Sequence, residues 1–316
     1  MSIYVRDADG NRQKIAGVGL PGPAGKSAYQ YAVEGGFSGT EEEFRAVVGV
    51  RSNPNLLDNW YFVDPINQRG QTEYGSGYTI DRWSSAKTII SDGYVSFQDN
   101  FIQSFEWDRF KPLLGKIVTL SYLNKDAKLT TATGAIPNSF ESNELQGIYF
   151  GPFAMYVFPG GSAQVFRLDT SDTIIAAKLE LGPVQTLAHK DASGNWVLND
   201  PPPNKALELA KCQRYFLPVG TDTPFAGRSS VLDSSGGIFF IPTPVTMRAN
   251  PSFDADLDHI IIYLPDGRKT HPKSITTSVY PNGIRVNFLT NESLGTSIAL
   301  VVAISHPYKY YLDANL

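Results

Sequence analysis

The segment "FEWDRF" contains two carboxylates that could do chemistry, Glu106 and Asp108, one on each side of Trp107. Glycoside hydrolysis needs little more than a pair of carboxylates at a suitable separation, so this pair is the first candidate for catalysis. In a β-strand the two side chains would share a face, which suits an ion pair with Arg109 or Lys111 equally well. We favour the structural interpretation, and glycan hydrolysis stays as the alternative.

Other nucleophiles and metal ligands lack the spacing that their chemistry requires. The histidines lie far apart, without the short spacing of a zinc site, at positions 189, 259, 271 and 306. The segment "DADGNR" resembles a calcium loop, but Arg12 occupies the position that must be glycine. Cys212 lies on the apolar stripe of a predicted helix and is expected to be a small buried hydrophobe. The sequence therefore predicts no catalytic residue, no metal site and no cofactor.

The glycine-rich segment "GVGLPGPAGKS", residues 17–27, imitates three different structures. It fails as a nucleotide loop, because Pro21 and Pro23 remove backbone N–H donors and the residues before it indicate a small exposed hairpin. Its triplets fit a collagen helix, in which only glycine fits on the axis. A stiff Pro/Gly linker explains the same residues. Both remaining interpretations predict a spacer.

Composition restricts the class of protein. The 316 residues are 42% hydrophobic and 12% aromatic, which is typical of a folded chain with two or three domains. The 27 basic and 31 acidic residues leave a net charge of −4 without a basic cluster, so nucleic-acid binding is not expected. No apolar run is long enough for membrane insertion, and the N-terminus does not resemble a signal peptide. We expect synthesis in a cytoplasm and release by a route such as phage lysis.

Residues 1–50 are predicted to form an N-terminal segment with the exposed hairpin, the spacer and two short helices. Ser27 can cap the first helix, which Gly35 and Gly36 would end, and Thr40 can open the second. Helices of this size bury little surface alone, so we expect them to pack on a neighbour or on copies of themselves.

The rest of the chain is predicted to be mainly β. In residues 51–203, short alternating runs separated by Gly, Asn, Asp and Pro predict a jelly-roll β-sandwich with a hairpin turn at Asp92-Gly93. This region is expected to end in a polar bridge over residues 189–203. Residues 204–316 are predicted to begin with a short helix capped by Asn204 and to continue as a second, separate β-sandwich domain.

Aromatic residues are the clearest excess, with 16 Tyr, 18 Phe and 4 Trp. In sugar-binding sandwiches an exposed ring stacks on a pyranose, while polar side chains bind its hydroxyls. Most rings here are expected to be core residues, Trp60 and Trp83 in particular. The residues that we predict to contact a glycan are Trp107, Arg109, Tyr263, Arg268, Tyr280, Arg285, Tyr308 and Tyr310.

The order of several segments carries a resemblance to a known family. They are "SAYQYAVEGGFSGTEEEFRAVVG" after the triplets, then "NPNLLDNWYFVDPINQRG", "YTIDRW", "AAKLELG", "ELAKCQRYF", "PVTMRANPSF" and "YLDANL". Together they resemble the receptor-binding tail-fibre proteins of phages and prophages of gut Gram-positive bacteria. Tips of this family diverge with the host, so no binding residue is transferred by motif. The matching residues 67–70, 82–83 and 209–216 are expected to serve the core and the interfaces.

The resemblance implies a homotrimeric fibre in the virion tail. Its N-terminal end would join other tail or baseplate proteins, and its β domains would bind a bacterial surface polysaccharide without catalysis. In this context the collagen-like interpretation of the triplets is favoured over a loose linker. The alternatives are a tail spike that cuts the glycan and a purely structural shaft or adaptor. The expected trimer contacts are Gly19, Gly22, Gly25, Phe44, Val47 and Leu209.

Overall fold

A computed structural model describes residues 3–6, 9–16, 27–36, 38–41, 52–140, 145–158, 164–170, 172–219, 225–231, 235–254, 256–264, 266–294, 300–304 and 310–315. Within these ranges the chain is mainly β, with antiparallel sheets and short helices. This confirms the predicted class, and the sheets are consistent with a β-sandwich. Residues 1–51 and residues 52–316 form two compact units. None of the described helices is long and apolar enough to cross a lipid bilayer.

The first unit contains a hairpin and a short helix. β1 (Ile3–Arg6) pairs antiparallel with β2 (Arg12–Ala16), which confirms the hairpin predicted at "DADGN". The helix Ala28–Glu34 begins at the predicted cap, because the Ser27 hydroxyl accepts a hydrogen bond from the backbone N–H of Gln30. The helix ends at Gly35, also as predicted. The predicted trimer contacts of this unit lie outside the described residues: Gly19, Gly22, Gly25, Phe44 and Val47.

Residues 52–198, called the first β region, form two six-stranded antiparallel sheets around one hydrophobic core. In spatial order, the strands of one sheet are β10 (Leu129–Ala135), β9 (Ile117–Asn124), β14 (Ile174–Leu181), β7 (Tyr94–Gln98), β6 (Lys87–Ser91) and β3 (Glu73–Tyr74). Those of the other are β11 (Gln146–Phe150), β12 (Phe153–Val157), β13 (Gln164–Asp169), β8 (Asn100–Phe105), β5 (Trp83–Ser85) and β4 (Gly77–Tyr78).

Alternation of apolar residues along these strands produces the core. Trp83 stacks on Phe101 with ring centroids 4.4 Å apart, and Phe101 stacks in turn on Phe97 at 4.7 Å. Trp60 and Trp83 are both buried here, as predicted. The turn at Asp92-Gly93 joins β6 to β7, also as predicted, and Gly93 has a φ of 83° that few other residues adopt.

The predicted polar bridge over residues 189–203 is partly wrong. Its first half is a hairpin of β15 (Ala188–Lys190) and β16 (Trp196–Leu198), whose turn is closed by the Asp191 carboxylate. Trp196 packs against the first core. The many polar residues concealed this hairpin, because only one face of a two-stranded ribbon on a sheet surface needs to be apolar.

The described residues of the range 204–315 contain one α-helix and two further sheets. The helix Lys205–Gln213, called the connecting helix, is capped as predicted by Asn204, whose side chain accepts from two backbone N–H groups. A three-stranded sheet contains β17 (Phe216–Val219), β26 (Tyr310–Asp313) and β20 (Ser252–Asp254). A seven-stranded sheet contains β22 (Lys269–Thr270), β21 (Ile260–Tyr263), β25 (Leu300–Ile304), β18 (Phe225–Val231), β19 (Gly236–Pro242), β24 (Gly283–Thr290) and β23 (Pro272–Tyr280). Both sheets contribute to a second hydrophobic core, and residues 216–315 are called the second β region.

The two β regions meet along a buried contact, called the seam, beside the connecting helix. The guanidinium carbon of Arg82 lies 3.4 Å from the ring centroid of Tyr215. That of Arg69 lies 3.6 Å from the ring of Phe216, and the Gln68 side chain donates to the Phe216 carbonyl at 2.9 Å. Cation–π contacts of this kind gain strength where water is excluded. The seam therefore holds the two regions together in one compact unit.

Candidate functional site

The carboxylate pair that the sequence singles out is not arranged as expected. β8 ends at Phe105, and Glu106 precedes a one-turn helix, Trp107–Phe110, so a shared strand face does not exist. Glu106 Oε1 accepts a hydrogen bond from the Tyr215 hydroxyl at 2.6 Å and one from Arg214 at 3.3 Å. Glu106 is therefore engaged in the seam.

Arg109, a predicted glycan contact, is a structural cation. Its Nη2 donates to the Asp58 carboxylate at 3.1 Å and to the carbonyl of Leu56 at 2.8 Å. Arg82 Nε donates to the same carboxylate at 3.2 Å. Burial by itself raises the pKa of Asp58, but the two guanidinium groups outweigh it and hold the pKa below its usual value. Arg109 is 31% exposed, so its contact with a glycan stays a prediction beside this structural role.

A second buried charge, Lys178, is also satisfied by the protein. Its ammonium group donates to Thr186 Oγ1 at 3.0 Å, to Asp200 Oδ2 at 3.1 Å and to the hydroxyl of Ser52. Glu180 accepts from the backbone N–H of Thr186 at 2.6 Å. Each N–H of this ammonium group therefore has an acceptor within the protein. This cluster fixes the segment after β14.

Of two further predicted glycan contacts, Tyr310 is buried and Trp107 is exposed. Tyr310 is 1% exposed within the second core and cannot stack on a ligand, which corrects its prediction as a glycan contact. The alternation of β26 turns its ring inward. Trp107 is exposed at one edge and stacks on Phe110 with centroids 6.1 Å apart. Tyr308 lies outside the described residues.

Tyr263 and Arg268 lie at one end of the seven-stranded sheet. The Lys269 ammonium is 5.2 Å from the Tyr263 ring centroid. Arg268 Nε donates to Asp266 at 2.7 Å, and Arg268 Nη1 lies 4.0 Å from Glu292. Arg268 is exposed and paired with side chains of opposite charge, and the glycan contacts at Tyr263 and Arg268 stay predictions.

Tyr280 and Arg285 are brought together on the outer face of β23 and β24. Arg285 pairs with Phe240 in the ladder, and Tyr280 pairs with Gly283. A Cβ at Gly283 would meet the Phe240 ring at 2.4 Å, so that ring covers the glycine. Arg285 Nε donates to Asn287 at 3.0 Å. With Phe240 44% and Tyr280 45% exposed, these side chains form a surface that we call the Phe240 patch.

Leu209, the one predicted trimer contact on described residues, lies on the connecting helix. It is half-buried and lines an open groove of about 490 Å³ with residues 65–68 and Lys205. Cys212 on the same helix is completely buried, as predicted, and burial raises the pKa of its thiol.

A further candidate surface lies on the outer face of β11, β12 and β13. Phe150, Met155 and Phe166 point from these strands into the first core. The alternate residues therefore point outward: Gly147, Tyr149, Ala154, Tyr156, Val165, Arg167 and Asp169. The antiparallel register places the small Ala154 between Tyr149 and Arg167. We call Tyr149, Tyr156, Arg167 and Asp169 the Tyr149 patch.

Two tyrosines meet at a right angle in this patch. The rings of Tyr149 and Tyr156 have centroids 5.8 Å apart and an interplanar angle of 87°. The Tyr156 hydroxyl donates to the Tyr149 hydroxyl at 3.2 Å, and this bond raises the pKa of Tyr156. A Cβ at Gly147 would lie 3.1 Å from both rings, so glycine leaves space for them. Tyr149 is 68% exposed and offers an open ring face.

Polar groups lie beside the open ring. Arg167 Nε donates to Asp169 Oδ1 at 2.7 Å, and this bond raises the pKa of Arg167. The Arg167 guanidinium also lies 5.7 Å from the Tyr156 ring centroid. Because Nε holds the carboxylate, the terminal nitrogens of Arg167 and the second oxygen of Asp169 remain for a ligand. An apolar ring next to a donor and an acceptor is the arrangement that a sugar requires.

No protein-family model, curated protein or solved structure matches this chain. Its chemistry is therefore inferred from its own geometry. Within the described ranges, no three His, Cys, Asp or Glu side chains come close enough to hold a metal ion. The Tyr149 patch and the Phe240 patch each combine an exposed aromatic ring with hydrogen-bonding groups that a ligand can reach.

Sequence reasoning missed all four residues of the Tyr149 patch. Alternation in "QGIYF" and "QVFRLD" indicates which residues point outward, because Ile and Phe occupy the other face. It does not indicate that these strands are neighbours. The contact between Tyr156 and Arg167 depends on the register of β12 and β13, which the pattern leaves open.

Proposed function

We propose that this chain is a receptor-binding tail fibre of a phage, a prophage or a phage tail-like particle, and that it binds a bacterial surface glycan without cutting it. The single observation that carries this proposal is the Tyr149 patch, an exposed ring face with an arginine and an aspartate beside it. The ring covers the apolar C–H face of a pyranose, while the polar pair binds its hydroxyls. The resemblance of the ordered segments to tail-fibre proteins supplies the biological setting.

A homotrimer is part of the proposal, because one patch of this size binds weakly. A single stacked sugar contributes little free energy once the loss of translational freedom is included. Three copies on one fibre, and several fibres on one particle, raise the strength of attachment by about 10²–10⁴ without any new contact. The jelly-roll topology, the collagen-like triplets and the trimer contacts belong to this proposal.

Cell binding by surface variants tests the proposal. We expect Tyr149→Ala to lower binding of the fluorescently labelled full chain to host cells by about tenfold or more, since the ring is lost from every subunit. Ile117→Ala is the matched control, because this side chain is also exposed, at 48%, but lies on the other sheet. Binding by Tyr149→Ala at the level of the control would refute the site.

The Phe240 patch is tested in the same assay. Loss of cell binding in Tyr280→Ala would show that the second β region contributes to binding. The double variant of Tyr149→Ala and Tyr280→Ala should bind less than either single variant if both patches are sites. If neither variant loses binding, the chain is better described as a structural shaft or adaptor. Surface variants are preferable to deletion of residues 204–316, because deletion would expose the seam.

Two measurements separate the proposed trimeric binding protein from a glycan-cutting tail spike and from a monomer. Release of new reducing ends from purified host polysaccharide would identify a depolymerase and overturn the binding-only proposal. Light scattering is expected to give three times the chain mass of 34.7 kDa. A monomer would remove the avidity on which the proposal depends.

A further inference from the structure

The Tyr149 patch has one open stacking surface, and this limits how much of a glycan it can hold. The ring of Tyr156 contacts the ring of Tyr149 at an interplanar angle of 87°, and the Arg167 guanidinium lies over the Tyr156 ring. Tyr156 is therefore a positioning residue, which holds Tyr149 and Arg167 in place. On the described strands of this face, the remaining outward residues beside the tyrosines are small or aliphatic: Gly147, Ala154 and Val165. Sites that follow a long chain need several rings in a row, whereas the described strands β11, β12 and β13 present one open ring, and the exposed ring of Phe158 lies beyond the end of β12.

The patch is also electrically balanced. Arg167 and Asp169 are the charged residues that point outward from the described strands β11, β12, β13 and β8, and they are bonded to each other. The outward residues of β8 beside them are Asn100, Ile102 and Ser104. A carboxylate or phosphate on the ligand would gain from Arg167 but would face Asp169 at nearly the same distance. A pair of neighbouring hydroxyls, by contrast, can donate to Asp169 and accept from Arg167.

We propose that the Tyr149 patch recognises a single neutral pyranose with two adjacent hydroxyl groups, presented as a chain end or side branch of the glycan. This inference rests on the proposed function and specifies the ligand class of the same site. The ring of Tyr149 holds the C–H face of the sugar, and the Arg167–Asp169 pair holds the two hydroxyls.

Matched sugar pairs provide the test. The probes are the methyl glycosides of glucose, galactose and mannose, each compared with the corresponding uronic acid, which differs by a carboxylate at C6. Binding is measured on the full chain by saturation-transfer NMR and by titration calorimetry. We expect at least one neutral glycoside to bind about tenfold more tightly than its uronic acid. We also expect less than about a threefold gain when that sugar is extended to a tetrasaccharide, and little change with salt.

Two variants make the test specific to this patch. Tyr149→Phe should keep binding and Tyr149→Ala should abolish it, since the ring face supplies the stacking. Asp169→Asn should reverse the charge preference, because the patch then carries the unopposed charge of Arg167. A purely structural role for Asp169 would lower affinity for both members of a pair equally, and thermal melts of each variant reveal any loss of folding.

The outcomes distinguish this inference from the proposed function. A preference for uronic acids, an affinity that rises steeply with chain length, or failure of every neutral glycoside to bind overturns the ligand class. If cell binding is nevertheless lost in Tyr149→Ala, the proposed glycan site survives with a different ligand. If cell binding is unchanged in Tyr149→Ala, both the site and the inference are wrong.

Discussion

Asp58→Asn tests whether the charges of the seam stabilise the fold. Asp58 is nearly completely buried and receives hydrogen bonds from Arg82 and Arg109. Arg82 is itself fully buried between this carboxylate and the Tyr215 ring. Asparagine has nearly the same shape as aspartate but carries no charge. The substitution therefore leaves a buried guanidinium group without its counter-charge, while packing is preserved.

The expected loss is large for a single isosteric change. Removing one partner of a buried ion pair costs about 3–5 kcal/mol, because the remaining charge stays desolvated. For a unit of this size each kcal/mol lowers the melting temperature by about 2–4 °C, so the expected decrease is about 6–20 °C. The matched control is Asp169→Asn, which removes the same charge from the half-exposed pair with Arg167. Exposed pairs contribute at most about 1 kcal/mol, so the control should melt within about 4 °C of the parent protein.

Differential scanning calorimetry of the three full-length proteins at neutral pH measures the difference. Circular dichroism before heating shows whether each variant has folded. The two β regions share the seam, so we expect them to melt together in the parent protein. If Asp58→Asn melts no lower than Asp169→Asn, the seam charges do not stabilise the fold and the reasoning is refuted.

Three further outcomes are expected. Because folding lowers the pKa of Asp58, this carboxylate stabilises the fold above its ordinary pKa of 3.8, and the stabilisation is lost as the pH falls through the lower pKa of the folded state. Urea unfolding from neutral to strongly acidic pH should therefore show a smaller acid-induced loss of unfolding free energy in Asp58→Asn than in the parent protein. Equal losses would contradict this. Gly134→Ala should lower the free energy of unfolding by about 1–3 kcal/mol, because the new Cβ would lie 1.6 Å from the buried Phe150 ring. The control is Gly75→Ala, whose Cβ would have no atom within 4 Å and which should be close to neutral in the same melts. Cys212 should not react with a thiol reagent in the folded chain and should yield one thiol per chain in denaturant, so rapid native labelling would show that the connecting helix opens.

Local signals predicted the local structure well. The Ser27 and Asn204 caps, the hairpin at "DADGN" and the turn at Asp92-Gly93 all depend on residues within a few positions of one another. Strands such as β14 were recognisable from short apolar runs, here residues 174–177.

Features that depend on distant residues were not predictable in this way. Glu106 was a catalytic candidate in the sequence. Its hydrogen-bond partner Tyr215 is 109 positions away in the chain, so no pattern in the sequence indicated that Glu106 is engaged in the seam. Tyr310 was predicted to contact a glycan, yet β26 pairs with the distant strand β17 and turns this ring into the second core. The Tyr149 patch depends on which strands become neighbours, and a hydrophobic pattern does not encode that order.

The seam also limits where this chain could be joined to a segment of another chain. A chimera joined near residue 203 would place Arg69, Arg82 and Glu106 in one parent and their partners Phe216 and Tyr215 in the other. Each of these three contacts would then have its two sides encoded by different parents. Residues 52–316 are therefore the smallest segment that keeps both sides of every seam contact in one parent.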